Sequence, residues 1–130
     1  AEIPEAPTRD PKPIAKIMVS IAEREQREIC VVFALNTRGQ IKAIKLLSVG
    51  SLNASIIHPR EVFHALCALS ASSFILAHNH PSGDCTPSED DLEITQRMSR
   101  NGEMMGIELL DHIITGADGK YFSLRESGLI

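Results

Sequence analysis

Apolar positions recur along the chain with two periods, and each period predicts a type of element. From Ile14 to Arg27 the apolar residues return at helical spacing with charged residues between them, which predicts a first helix. The run ICVVFAL is apolar and rich in β-branched residues, and it predicts a buried strand. After a turn at Asn36–Gly39, the stretch QIKAIKLLSVG alternates as expected for the second strand of a hairpin.

The second half of the chain continues the alternation of helices and strands. A loop from Gly50 to Pro59 leads into a helix with an apolar stripe, and the run SSFILA predicts another buried strand. A helix from about Pro87 to Arg100 follows, and Asn101-Gly102 is predicted to end it. The stretch IELLDHIITG is apolar on both faces, which is typical of a central strand, and a turn and a short strand at 121–124 complete the pattern. This order predicts an α/β domain with a mixed sheet between helices.

Domain organisation follows from proline content and length. Residues 1–13 hold four of the seven prolines, which predicts an extended lead-in or linker. Residues 14–130 form a single domain by length, long enough to bury a core without disulfide bonds.

The segment HNHPSGDCTPSEDD follows the SSFILA strand and gathers residue types that bind metals. His78 and His80 stand two apart at the carboxyl end of an extended strand, so their side chains share a face. Thr86 fits as the cap of the next helix, with a proline after it, which would place Ser88 and Asp91 three apart on one helical face. Two histidines, an aspartate and an open position are typical of a catalytic zinc site.

Each part of this segment also has a simpler interpretation. Two histidines in a polar turn after a strand are more often surface residues. Ser88 and Asp91 could themselves be the capping box of a helix that begins one or two residues later. Cys85 could be a fourth ligand that closes the site. The whole combination, H-x-H, seven residues and S-x-x-D, is far more specific than any of its parts.

This combination resembles the JAMM signature of the JAB1/MPN metalloprotease superfamily. The full segment HNHPSGDCTPSEDD, with LNASIIHPREV before it and LLDHIIT after it, is similar to the RadC family within that superfamily. The resemblance covers about Ile14 to Ile130. It implies a three-layer α/β fold with a mixed sheet, similar in architecture to cytidine deaminases. It also implies one zinc ion per chain, held by His78, His80 and Asp91.

The same resemblance implies metal-assisted hydrolysis of a peptide or isopeptide bond, often at the tail of a ubiquitin-like modifier. Glu28 stands where the family places a glutamate, at the start of the first strand, and would take the proton of the attacking water. Ser88 would donate a hydrogen bond to the oxyanion. From the residues alone, Glu28 is equally well explained as a solvated glutamate at a helix–strand junction. The loop from Ser48 to Ile57 is a candidate wall for an extended substrate beside the sheet.

Charge and cysteine content indicate which partners and which cell compartment to expect. There are 13 basic and 17 acidic residues, and this net charge of −4 leads us to expect no direct DNA binding by this domain. Three scattered cysteines indicate a reducing compartment, which we expect to be the cytoplasm. No apolar run is long enough to span a bilayer, so we expect no membrane partner. The chain begins at Ala1, which suggests part of a longer protein, because RadC-like chains usually carry an N-terminal segment that resembles a DNA-binding hairpin.

Three other functional classes stay open. One is a metal site that only stabilises the loop, which a fourth protein ligand such as Cys85 would indicate. A nucleobase deaminase would carry H-x-E and P-C-x-x-C, whereas the second residue after His78 is His80 and the chain has no C-x-x-C. A metal-binding module that acts in DNA repair or recombination without hydrolysis is the alternative to the hydrolase. Asp111 and His112 interrupt the last apolar run, and we expect a hydrogen-bonded core pair, or a role behind the metal ligands as the second interpretation.

Overall fold

The fold alternates helices with strands, as predicted. The computed structural model describes residues 10–53 and 56–130. These residues form three helices, α1 (Pro11–Ala22), α2 (Pro59–Ala68) and α3 (Glu89–Met105). They also form five strands, β1 (Ile29–Leu35), β2 (Ile41–Val49), β3 (Ser73–Asn79), β4 (Glu108–Thr115) and β5 (Tyr121–Ser123). The α/β class predicted from the sequence is confirmed.

One mixed sheet holds all five strands in the order β2-β1-β3-β4-β5. Strand β1 is antiparallel to both β2 and β3, whereas β3 is parallel to β4. The start of β1 and the carboxyl ends of β3 and β4 therefore lie at the same edge of the sheet. All seven residues of β1 are buried, as expected for a strand covered on both faces.

Helices cover both faces of the sheet. On one face α1 packs against β3 and β4, and buries Met18 with Phe33 and Ile113. On the other face α2 and α3 enclose a second cluster that includes Leu76 and Met98. Because side chains alternate along a strand, each strand contributes to both clusters. The result is the predicted three-layer arrangement.

Helix α1 begins earlier than the sequence predicted and also ends earlier. The Asp10 side chain caps it by accepting a hydrogen bond from the Lys12 backbone N–H at 3.0 Å. Residues 11–13 are therefore helical, and the prediction that they belong to an extended lead-in is wrong. A proline in the first turn is tolerated because its missing N–H would have no partner within the helix. Residues 1–9 of the predicted lead-in lie outside the described residues.

Helix α3 continues past Asn101-Gly102, where it was predicted to end. Gly106, in the left-handed conformation with φ of 73°, ends it instead. Gly102 is a glycine for a different reason, since a Cβ there would lie 2.3 Å from the Ile107 carbonyl oxygen. The residue marks a close approach between the helix and the chain that leaves it, which the local sequence does not reveal.

The predicted wall from Ser48 to Ile57 is described only in part, because residues 54 and 55 lie outside the described ranges. Within residues 10–53 and 56–130, no helix is both long and apolar enough to cross a bilayer.

Candidate metal centre

The structure brings His78, His80 and Asp91 together at the carboxyl end of β3. His78 lies within β3 and its side chain is completely buried, whereas the His80 side chain is 12% exposed. His78 Nε2 lies 3.0 Å from His80 Nε2 and 3.0 Å from Asp91 Oδ1. His80 Nε2 lies 3.1 Å from Asp91 Oδ2. This group could hold a metal ion.

The spacing of the three side chains is close to that around one tetrahedral ion. Nitrogen and oxygen ligands about 2.0–2.1 Å from a tetrahedral ion stand about 3.3 Å from one another. The two Nε2 atoms are 3.0 Å apart, and each contacts a different oxygen of Asp91, at 3.0 Å for His78 and 3.1 Å for His80. Neither the Cys85 thiol nor the Glu28 carboxylate belongs to the group, so within the described residues it offers three protein ligands. The fourth ligand considered for Cys85 is not supported.

Hydrogen bonds behind each imidazole indicate which ring nitrogen faces the centre. His80 Nδ1 lies 2.8 Å from the Asp84 carbonyl oxygen, which can only accept, so Nδ1 carries the proton and Nε2 is left with its lone pair. His78 Nδ1 lies 2.8 Å from Nε2 of the buried His112. When both Nε2 atoms are unprotonated, three acceptors converge and the group suits a cation; in its absence, an Nε2 that carries a proton can donate it to Asp91.

Asp91 reaches this centre because it belongs to the capping box of α3. Ser88 is the N-cap, and its hydroxyl oxygen accepts the Asp91 backbone N–H at 3.1 Å. Asp91 Oδ2 accepts the Ser88 backbone N–H at 2.8 Å. The prediction that Thr86 caps the helix is therefore wrong, and the alternative with Ser88 and Asp91 as the capping box is confirmed. The box does not compete with the candidate ligand role, because it fixes the carboxylate that faces the histidines.

Charges at the centre are strongly coupled. Burial alone would raise the pKa of Asp91, but hydrogen bonds from His78, His80 and the Ser88 backbone hold it well below its usual range. The hydrogen bond with Asp91 raises the pKa of His80. Burial, together with the negative charges of Asp91 and Glu28, raises the pKa of the Cys30 thiol. Cys30 therefore stays a protonated core residue beside the site.

Glu28 lies at the same edge of the sheet, immediately before β1. Cys30 pairs with His78 at the end of the β1–β3 ladder, and Glu28 precedes Cys30 by two residues. Glu28 is half-buried, and its Oε2 accepts the Leu52 backbone N–H at 2.8 Å. Its negative charge contributes to the raised pKa of His80. Glu28 is thus near the centre without being one of the grouped ligands.

Asn79, between the two histidines, holds the backbone on both sides of Glu28. Its side chain is on the opposite face of β3, toward α1. The amide oxygen accepts the Ile29 backbone N–H at 2.7 Å, and the amide nitrogen donates to the Arg27 carbonyl at 3.1 Å. One short segment, His78 to His80, therefore supplies two candidate ligands and positions Glu28.

Asp111 and His112 point in different directions rather than forming a side-chain pair. The Asp111 carboxylate accepts the Ser123 hydroxyl at 2.6 Å and the Arg125 backbone N–H at 3.0 Å, which ties the end of the chain to β4. Its side chain also accepts the His112 backbone N–H at 2.8 Å. The His112 ring faces His78, so the second interpretation fits His112, and a structural role in the core fits Asp111.

Comparison with known proteins agrees with this geometry. The profile of the RadC-like JAB domain matches residues 8–129. The chain belongs to the RadC-like JAB domain family. It is 41% identical over 129 residues to a UPF0758 protein of Methanosarcina mazei, covering 99% of this chain and 56% of that protein. It is 48% identical over 118 residues to one of Caldanaerobacter subterraneus, covering 91% and 50%. A third, of Bacillus licheniformis, is 47% identical over 122 residues, covering 94% and 54%.

This RadC-like chain spans about half the length of the curated relatives that it matches. The sequence did not single out Asn79, nor Thr95, whose buried hydroxyl contacts His112 Nδ1 and the Asp91 carbonyl. It gave His112 only a secondary interpretation. The signal for His112 in the sequence is its position as a polar residue in an otherwise apolar strand. The contacts of Asn79 and Thr95 depend on pairing between distant elements.

Proposed function

We propose that this RadC-like domain is a zinc-dependent hydrolase of the JAMM type, which cleaves a peptide or isopeptide bond. The observation that supports it most is the convergence of two imidazole Nε2 atoms, 3.0 Å apart, on the two oxygens of one buried carboxylate, Asp91, at 3.0 and 3.1 Å. Two imidazoles and one carboxylate with an open fourth position form a typical catalytic zinc set. A zinc ion bound there would lower the pKa of its water and polarise the scissile carbonyl.

Glu28 is our candidate for the proton transfers. One carboxylate oxygen, Oε2, is oriented by the Leu52 backbone N–H, and among residues 10–53 and 56–130 the other accepts no hydrogen bond. The carboxylate takes a proton from the attacking water and returns it to the leaving amine. Asn79 supports this role because it fixes the backbone on either side of Glu28. A base must be held within hydrogen-bond reach of the proton that it takes.

Ser88 is our candidate for stabilising the oxyanion. Its hydroxyl oxygen accepts the Asp91 N–H, which leaves the hydroxyl proton for another partner. Ser88 is exposed and stands three residues from a candidate ligand, so its O–H can donate to a substrate oxygen at the open position.

The proposed substrate is an extended peptide segment, such as the tail of a ubiquitin-like protein. Strand β2 is an edge strand, and it exposes Leu46 (55%) and Val49 (41%). An edge strand can hydrogen-bond an added peptide strand, with side chains such as these supplying apolar contacts. With a net charge of −4, we expect this chain not to bind duplex DNA.

The test is hydrolysis of a peptide library in water labelled with ¹⁸O. Zinc-loaded wild-type chain is compared with zinc-loaded Glu28→Gln, and new carboxyl termini are identified by mass spectrometry. We expect cleavage products that carry one ¹⁸O and that are absent with Glu28→Gln. The matched Glu25→Gln control changes a carboxylate that pairs with Arg27 at 2.9 Å, and it should cleave like wild type.

Two results would contradict the proposal. Equal cleavage by wild type and Glu28→Gln would reject Glu28 as the base. No cleavage of any peptide or of a ubiquitin-like fusion by zinc-loaded wild type would favour the metal-binding module without hydrolysis.

A further inference from the structure

We propose that His112 and Thr95 are positioning residues that fix His78 in the one tautomer able to bind a metal through Nε2. The inference rests on the metal-binding part of the proposed function and goes beyond it. Both residues are buried behind the ligand group, with exposed fractions of 0% for His112 and 2% for Thr95. Neither belongs to the group of ligand atoms.

A continuous chain of hydrogen bonds joins two candidate ligands from behind. His78 Nδ1 lies 2.8 Å from His112 Nε2, and His112 Nδ1 lies 2.5 Å from the Thr95 hydroxyl oxygen. The Thr95 hydroxyl also lies 2.7 Å from the backbone carbonyl oxygen of Asp91. The chain therefore runs from β3 through β4 to α3.

The proton positions in this chain follow from its last member. A carbonyl oxygen can only accept, so the single Thr95 hydroxyl proton points to Asp91. Thr95 must then accept from His112, which places the His112 proton on Nδ1. The lone pair of His112 is therefore on Nε2, and it accepts the proton on His78 Nδ1. His78 is left with its lone pair on Nε2, the atom that faces His80 and Asp91.

Burial makes the direction of this chain hard to reverse. His112 is completely buried, and its two ring nitrogens are occupied by His78 and Thr95. Reversal would put a proton on His78 Nε2, where a metal must bind, and would leave the Thr95 and Asp91 oxygens 2.7 Å apart with no hydrogen between them. A buried polar group without a partner is destabilising.

Sheet register explains why these residues meet. Leu76 of β3 pairs with His112 of β4 in the parallel ladder, and His78 follows two residues later on the same face. Thr95 stands one helical turn after Asp91, so both face the sheet from α3. Strand β3 carries the ligand His78, which contacts His112 of the neighbouring strand β4. Helix α3 carries both the ligand Asp91 and Thr95.

The experiment measures zinc affinity of the full 130-residue chain by competition with a chromophoric chelator at neutral pH. His112→Leu removes the acceptor, whereas His112→Gln keeps an acceptor oxygen near the position of Nε2. Thr95→Val removes the hydroxyl with little change of shape, whereas Thr95→Ser keeps it. Ile113→Ala is the matched control, since Ile113 is a buried neighbour that faces the α1 side.

We expect His112→Leu and Thr95→Val to weaken zinc binding, His112→Leu by about 10–100-fold as for other residues behind metal ligands. His112→Gln and Thr95→Ser should recover most of the affinity. Ile113→Ala should lower the melting temperature and leave the zinc Kd unchanged. In ¹⁵N spectra of the zinc-loaded wild type, the proton of His112 should be on Nδ1.

Two results would overturn the inference while leaving the metal centre in place. One is tight zinc binding by wild type with His112→Leu and Thr95→Val no weaker than Ile113→Ala. The other is a His112 proton on Nε2 in the zinc-loaded protein. A wild-type chain that binds no zinc would overturn both this inference and the proposed function.

Discussion

The two sides of the candidate metal centre are built differently. The inner side, toward β4 and α3, is buried, and hydrogen bonds connect His78, His112, Thr95 and Asp91 without interruption. The outer side carries the half-buried Glu28 and the exposed Ser88. There, the Glu28 side chain is oriented by a backbone N–H of the loop that follows β2.

This difference separates holding the metal from acting on a substrate. A buried, hydrogen-bonded inner side preorganises the ligands, so that metal binding requires little rearrangement. An outer side in contact with water leaves room for a substrate and for proton transfer.

Removing a ligand from either side should abolish stoichiometric metal binding, but only the inner ligand should matter for stability. His78→Ala leaves a cavity and an unpaired His112 nitrogen, which should cost about 2–4 kcal/mol of unfolding free energy. His80→Ala, on the partly exposed ligand, should cost about 1 kcal/mol or less. Elemental analysis of the zinc-loaded proteins measures metal binding. Urea unfolding of the metal-free proteins measures stability. Equal destabilisation by both variants would contradict the division.

Changing the base should affect turnover alone. Glu28→Gln keeps the size of the side chain but cannot take a proton, so the rate should fall about 10²–10⁴-fold. Zinc content and melting temperature should stay at wild-type values. A Glu28→Gln protein that loses its zinc would instead make Glu28 a ligand, and the outer side would then also hold the metal.

Removing the Asn79 amide should weaken the fold at the start of β1 and leave the metal in place. Asn79→Ala deprives the Ile29 N–H and the Arg27 carbonyl of their partner. We expect a loss of about 1–3 kcal/mol in unfolding free energy, reduced turnover and an unchanged zinc Kd. A zinc Kd that rises as much as in His112→Leu would show that the two sides are not separate.

Acidification should affect metal-free and zinc-loaded protein in opposite directions. In the metal-free chain the pKa of His80 is raised by Asp91, so its contribution is complete below the unfolded value of about 6.5 and is lost as pH rises through the folded pKa. Lowering the pH from 8 to about 6.5 should therefore stabilise the metal-free chain. Below about 6.5 the buried His112, whose pKa is lowered, opposes this gain because the unfolded state binds its proton.

In the zinc-loaded chain the same acidification should lower stability, because protons compete with the metal for its ligands. Thermal melts at pH 8.0, 7.2 and 6.5, with and without zinc, measure both slopes. His80→Gln is the control and should remove the stabilisation of the metal-free protein. Slopes of the same sign in the two wild-type samples would contradict the coupling of His80 and Asp91.

The sequence revealed the candidate ligands because they are close together along the chain. His78 and His80 share a face through strand periodicity, and Asp91 follows in the first turn of the next helix. The choice between Thr86 and Ser88 as cap was not decided locally, because both have suitable side chains and a carboxylate three residues later. The contacts of Asp91 with the histidines agree with the later start.

Other features were beyond local reasoning because they depend on distant pairing. His112 is 34 residues from His78, and their contact requires the parallel register of β3 and β4. Asn79 is 50 residues from Ile29. Gly102 looked like a helix end, and its role depends on where the Ile107 carbonyl passes. Strand and helix periods predict elements, whereas the contacts between elements come from the assembled sheet.

The most direct test of the central claim is anomalous diffraction at the zinc edge from crystals of the zinc-loaded chain at neutral pH. The account predicts one peak per chain, about 2.0–2.2 Å from Nε2 of His78, Nε2 of His80 and a carboxylate oxygen of Asp91, with a fourth position free of protein ligands. A peak bound elsewhere, a fourth protein ligand such as Cys85, or no peak in crystals soaked with zinc would contradict it.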